Sequence, residues 1–358
     1  MQAGARTVIS LLLLFVCVRS LGASADPPAL RARLSTLKAE AVARIDDLKK
    51  HSDDPYDVVT RFDDALQSLD DARAAADPAY LAERTIRADL DAEVLKALED
   101  GAASAPSADT PGLHEIMLAS ATDGKLEPAA VIVPRGYDPR RPVSMVVALH
   151  GMGETESDVV SRRQLRELAD RSGALVVAPY AFGDGRYPDR SVRNVYTVAD
   201  VAAKRFHADP HHVYLIGYSN GGIGVFHVAR SQPTRFAAIC SVAGALDGAD
   251  SDAIAKGFRH GAVYVVAGGR DVLSPPSFGK RTVAYLRNAG IPARYYEAPS
   301  ASHDLDALAP AITAAWNDMF SGVTQSQNDS LGALPTESHY SPTFLPNGGP
   351  STPHITGI

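Results

Sequence analysis

Ser219 lies between two glycines, in Gly217-Tyr218-Ser219-Asn220-Gly221, directly after the apolar run Val213–Ile216 and directly before a helix-forming stretch from Ile223 to Arg230. A strand that turns abruptly into a helix lifts the middle residue of the turn above the edge of its sheet, and the turn is too tight for side chains at both flanking positions. A serine so presented, with a helix N-terminus behind it, is a candidate nucleophile. It needs a base and an acid to orient that base. The strand-like run Ala262–Val266 leads through Ala267-Gly-Gly-Arg into Asp271, and the run Arg294–Glu297 leads into Ala298-Pro-Ser-Ala-Ser and His303. Each is ordinary alone: a glycine-rich turn, a helix cap before Pro275-Pro276, a solvated loop histidine. Together, on successive strand ends, they describe acyl transfer by Ser219 with His303 as base and Asp271 as orienting acid. Asp247, Asp250 and Asp252 are the competing acids, but none ends an apolar strand.

These residues need a rigid support. Short apolar runs occur at 114–119, 129–134, 143–149, 174–179, 212–217, 237–243, 262–267 and 293–298, and from the third onward they alternate with helical stretches. Runs such as Val143–Leu149 are continuously apolar, as in a parallel sheet covered by helices on both faces. The expected class is α/β, a doubly wound, mostly parallel sheet of about eight strands. Ahead of it, residues 26–101 carry three stripes of apolar residues at helical spacing, Leu30 to Leu48, Val59 to Ala72 and Leu81 to Leu98. They predict a helical hairpin or three-helix segment, with Asp54-Pro55 and Asp77-Pro78 as helix starts. Residues 102–112 are small and turn-rich and read as a linker to the domain at 113–321. Residues 322–358 have no Lys or Arg and five prolines, the composition of a disordered tail.

Composition closes off other functions. The 358 residues have a net charge of −7, leaving no basic surplus for phosphates, so no nucleic-acid partner is expected. Residues 1–25 read as a signal peptide: Arg6, the apolar run Val8–Val18, and Ala23-Ser24-Ala25 before Asp26. Eleven apolar residues are too few to span a bilayer, so no stable membrane anchor remains after cleavage, and the protein is expected to be exported, secreted or periplasmic. Cleavage leaves Cys240 as the one cysteine, which excludes an intramolecular disulfide. No metal-ligand spacing occurs, and neither a metal nor a cofactor is expected.

The order Ser219, Asp271, His303 along the chain resembles that of α/β-hydrolases, and residues 113–321 are similar to such a domain. Asp209-Pro-His-His-Val-Tyr-Leu-Ile-Gly-Tyr-Ser-Asn-Gly-Gly222 resembles the exported esterase branch that includes polyhydroxybutyrate depolymerases, feruloyl esterases and acetyl xylan esterases. The sequence departs from that branch in having Met152-Gly153 where a cysteine often follows the His-Gly pair, and Asp304-Leu305 where an aromatic often follows the catalytic His. The resemblance implies that His150-Gly151-Met152-Gly153 is the oxyanion loop, with the backbone N–H groups of Met152 and Asn220 as its donors and the His150 side chain only buttressing it. It implies a serine esterase acting on a small-molecule or polymeric ester, with Tyr180, Tyr196, Tyr218, Leu273 and Met152 as candidate pocket walls. No cluster of Arg or Lys neighbours these motifs, so anionic substrates gain no support. The alternatives are a serine peptidase of prolyl oligopeptidase type, whose β-propeller about 75 helical residues cannot build, and a non-catalytic binding protein on a hydrolase scaffold.

Overall fold

The computed structural model describes residues 26–103, 110–120, 123–183 and 187–322. The signal peptide, most of the linker and all but the first residue of the tail expected from the sequence lie outside them. Helices α1 (Pro27–Ala43), α2 (Ile45–Leu48), α3 (Asp57–Ser68), α4 (Ala72–Ala76) and α5 (Pro78–Asp100) come first. Then follow β1 (Gly112–Ala119), β2 (Leu126–Val133), β3 (Val143–Leu149), α6 (Glu156–Ser161), α7 (Arg163–Ser172) and β4 (Leu175–Pro179). The chain continues with α8 (Asp189–Arg205), β5 (Ala208–Tyr218), α9 (Asn220–Ser231), β6 (Ala238–Val242) and α10 (Gly248–Gly257). It closes with β7 (Ala262–Gly268), α11 (Pro276–Asn288), β8 (Ala293–Ala298) and α12 (Leu305–Ser321).

All eight expected strands form one sheet in the order β1-β2-β4-β3-β5-β6-β7-β8. β1 and β2 run antiparallel to their neighbours, and every pairing from β4 to β8 is parallel. This is the α/β-hydrolase fold, with helices on both faces and a core on each. The chain goes from β3 outward to β4 and returns to β5 on the other side. The loops after β3 and β5 therefore diverge, and the crevice between them is where such sheets bind ligands.

The helices at the N-terminus share a core of their own, around Leu34, Phe62 and Leu98. Asp77 caps α5 as expected, accepting from the amides of Ala79 (2.8 Å) and Tyr80 (3.3 Å). The other Asp-Pro step falls short: α3 begins at Asp57, two residues after Pro55, and the first stripe breaks at Arg44 into α1 and α2. This helical unit is continuous with the sheet domain. Met117 and Leu126 of β1 and β2 complete its core, while Leu90 of α5 belongs to the core of the sheet.

Candidate active site

The turn between β5 and α9 is forced into an unusual backbone. Ser219 has φ 54° and ψ −114°, a region that costs a non-glycine residue on the order of 1–3 kcal/mol. Two hydrogen bonds hold it there: its N–H donates to the Val242 carbonyl at the end of β6 (2.8 Å), and its carbonyl accepts from Ile223 in α9 (3.1 Å). The glycines leave room for the chain to double back. A Cβ at Gly217 would lie 2.2 Å from the Gly221 carbonyl oxygen, and one at Gly221 would lie 2.4 Å from that of Leu149 in β3.

The carboxyl ends of β5, β7 and β8 bring the three candidates together. Ser219 Oγ lies 2.8 Å from His303 Nε2, and His303 Nδ1 lies 2.7 Å from Asp271 Oδ2. Asp271 is buried, and its other oxygen accepts from the amides of Leu273 (2.9 Å) and Ser274 (2.8 Å). The acid is thereby fixed on a tight turn with one oxygen aimed at the imidazole. A carboxyl oxygen there accepts Nδ1–H, which leaves Nε2 to accept from the serine. Tyr218 braces His303: its hydroxyl donates to the His303 carbonyl (3.1 Å) and its ring lies 5.2 Å from the imidazole. Burial raises the Tyr218 phenol above its ordinary range, so it stays a donor.

The loop after β3 is pinned at several points. The Gly151 amide donates to Glu154 Oε2 (2.8 Å), and the other oxygen of Glu154 pairs with Arg162. Tyr187 donates its hydroxyl to the His150 carbonyl (3.0 Å), and His150 Nε2 sits 2.9 Å from the Tyr180 carbonyl. The His150 side chain is thus spent on holding the loop. Met152 is 71% exposed at the rim, and Asn220 is the first residue of α9, where a helix amide has no intrahelical partner.

The expected pocket walls separate. Tyr218 lines the crevice beside His303, and Leu273 is exposed on the turn that carries Asp271. Tyr196 does not reach the site: it lies within α8, stacked on Phe236 and donating to the Val228 carbonyl (2.8 Å) in the core. Nor is Tyr180 a wall. It is buried, its ring 5.4 Å beneath the guanidinium of Arg61. Of the competing acids, Asp247 caps α10 and Asp250 pairs with Arg230 (2.7 Å).

Sequence reasoning missed what the helical unit brings. Arg61 of α3 is 1% exposed and makes a two-pronged pair with Glu156 at the start of α6, four residues past Met152. It also reaches Asp91 (3.1 Å) and Asp57. Burial raises the carboxyls of both Glu115 and Glu156. Arg61 opposes this most at Glu156, to which it donates two hydrogen bonds. A sequence signal existed: Arg61 falls three residues after Val58 and four before Ala65, both buried. Further along the interface, Arg73, Tyr80, Arg84 and Arg87 of the helical unit form one wall of a cavity of about 310 Å³, with His303 and Tyr218 on the other. The expectation that no arginines neighbour the motifs is corrected: Arg162 follows the His150–Gly153 loop by nine residues, and Arg73, Arg84 and Arg87 arrive from more than a hundred residues before Ser219.

Comparison with known proteins agrees with this fold. A model of the prolyl oligopeptidase family matches residues 180–256, about a fifth of the chain, including the Ser219 turn. NocK of Nocardia uniformis subsp. tsuyamanensis, named for an inferred esterase activity, is 31% identical over 130 residues, 33% of this chain. That match spans 36% of NocK, little more than a third of its length. Among solved structures, the fluorophosphonate-binding serine hydrolase F of Staphylococcus aureus is 17% identical, with a TM-score of 0.51 over 59% of this chain and 99% of its own. The S-formylglutathione hydrolase of the same organism is 16% identical, with a TM-score of 0.50 over 58% and 98%. A ferulic acid esterase is 17% identical, with a TM-score of 0.50 over 58% and 97%. The chain has the α/β-hydrolase fold, and these three structures are named as a serine hydrolase, an S-formylglutathione hydrolase and a ferulic acid esterase.

Proposed function

We propose that the protein is an exported serine esterase that hydrolyses carboxylic esters through an acyl-enzyme. The observation that carries this reading is the unbroken line from Ser219 Oγ to His303 to buried Asp271, with the serine on a strained turn. In the first step His303 Nε2 takes the hydroxyl proton as Oγ attacks the ester carbonyl. The alkoxide that develops on the carbonyl oxygen is met by the amides of Met152 and Asn220, and Asp271 stabilises the imidazolium. Collapse breaks the ester C–O bond, and His303 returns its proton to the leaving alcohol. Water, activated by the same imidazole, then releases the acid. Neither a cofactor nor a metal enters these steps.

Reaction with a fluorophosphonate probe and a panel of short p-nitrophenyl esters tests the reading. The parent chain labels at Ser219 and turns over, whereas Ser219→Ala does neither, with kcat lower by about 10⁶. Parental turnover in Ser219→Ala refutes the mechanism. The family match over residues 180–256 favours a second reading, a serine peptidase using the same residues. Cleavage of prolyl anilides at rates above those for any ester would replace the first reading with this one.

A further inference from the structure

The chain that leaves β3 turns back on itself at once. Gly151-Met152-Gly153-Glu154 is a β-turn: the Glu154 amide donates to the Gly151 carbonyl (3.3 Å), and Gly153, its third residue, has φ 71°, which glycine adopts without strain. The same carbonyl oxygen lies 2.8 Å from His150 Nδ1. A trans peptide points its N–H away from its C=O, so holding the Gly151 oxygen inside the turn aims the Met152 N–H outward. Among the described residues no hydrogen bond takes up that amide.

The Glu154 side chain closes the turn a second time. Its Oε2 accepts from the Gly151 amide (2.8 Å), while Oε1 pairs with Arg162. One residue thus grips both peptides that flank Gly151, the first through its carboxyl and the second through its own backbone N–H. Its anchor is fixed in turn: Arg162 is the N-cap of α7, whose first amide, that of Arg163, donates to Glu83 of α5 (2.6 Å). There is little slack. A Cβ at Gly151 would lie 3.1 Å from Glu154 Oε2 and 3.2 Å from the Tyr218 ring, and one at Gly221, in the nucleophile turn, would lie 2.7 Å from the His150 carbonyl oxygen. The two turns are in backbone contact, so a tilt of the peptide between Gly151 and Met152 moves its N–H directly against Ser219. Building on the esterase reading, in which that N–H meets the oxyanion, we propose that Glu154 is a positioning residue. It acts through Gly151 to aim the Met152 amide, and Arg162 holds it to that task.

The test measures Glu154→Met, which keeps the side chain's length and loses its acceptors, on p-nitrophenyl acetate and against a phenyl trifluoromethyl ketone. Ser219 Oγ adds to the ketone carbon, His303 takes the proton, and the carbonyl electron pair becomes an oxyanion where an ester would form one. Acylation and deacylation both pass through such an oxyanion. For the variant kcat therefore falls by about 10²-fold, as for the loss of one donor, with KM near the parental value. The Ki of the ketone rises by the same factor, because its adduct resembles the transition state. Fluorophosphonate labelling of Ser219 still runs to completion, and both constants are counted per labelled site. Glu154→Gln can serve Gly151 or Arg162 but not both, and loses about tenfold in kcat and in ketone affinity, the contribution of one hydrogen bond. It decides the matter if the Met variant does not fold. Parental kcat and Ki per labelled site in either variant, whatever its Tm, overturn the positioning role and leave the esterase reading standing. Absence of Ser219 labelling in the parent, together with no turnover of any ester, overturns both.

Discussion

Replacing Arg61 by Met tests whether the helical unit is part of the sheet domain's working structure. Arg61 contacts three carboxylates, and they do not count equally. The Asp57 side chain is 20% exposed, so water screens its loss. Asp91 keeps Arg87 Nε at 3.4 Å. Glu156, 0% exposed, has no other cation at pairing distance among the described residues. The variant therefore strands about one buried carboxylate, and breaking a buried pair costs about 3–5 kcal/mol; with a single acid stranded we expect the lower end. For a chain of this size that is a fall in Tm of about 5 °C. The pH dependence gives a sharper signature. Burial already raises Glu156, and losing Arg61 raises it further. A carboxyl whose folded pKa lies above its unfolded value stabilises the fold below about pH 4.3, and that contribution is lost as pH rises through the folded pKa. The gap in Tm between parent and variant should thus be small at pH 4.5 and widest at pH 8, measured by calorimetry at matched ionic strength. Because Glu156 opens the helix that follows the proposed oxyanion loop, kcat on p-nitrophenyl acetate should also fall, by about 10²-fold for a shift of 1 Å. A variant as stable as the parent at pH 8, or a gap independent of pH, would refute the reasoning.

Asp271→Asn should lower kcat by about 10⁴ by favouring the wrong imidazole tautomer, while the amides of Leu273 and Ser274 keep the turn and leave Tm nearly unchanged; steady-state rates and a melting curve check both. Glu115→Gln keeps the partner of the Ser157 hydroxyl (3.0 Å) and removes a carboxyl whose pKa burial holds high. By the same sign, it should match the parent near pH 4 and exceed it in Tm at pH 8. A chain starting at Ser107 should fail to yield soluble, folded protein by size-exclusion chromatography, since it exposes Met117, Leu126 and the unpaired acids Glu156 and Asp158. Full solubility with parental Tm would mean that the helical unit is a detachable prefix.

The sheet was legible because its strands are buried on both faces and so read as uninterrupted apolar runs; β3 and β6 are examples. The candidate triad was legible because each member ends such a run, a local property. Tyr196 misled because a tyrosine suits a pocket wall and a core position equally, and only the Val228 carbonyl, in another helix, decides between them. Arg84 and Arg87 were invisible for a different reason. They sit among the charges of α5, where the sequence does not set them apart from exposed Glu93 and Lys96, and their meaning depends on a contact with loops far along the chain. A search near the motifs could not find them.

The pair between Arg61 and Glu156 also sets an order in time. It joins positions 95 residues apart, so during synthesis the first helices emerge well before the acid that neutralises Arg61 exists. Until α6 has been made, α3 carries a cation on a side that must later become dry, and α5 shows Ile86 and Leu90 to solvent with no sheet to receive them. The helical unit consequently cannot close early and then act as a finished template. It waits, half assembled, for the central strands, and the parallel pairings among those strands are slow to form because each spans a long loop. A growing chain is most exposed to misassociation in that interval, after α5 is complete and before Glu156 arrives.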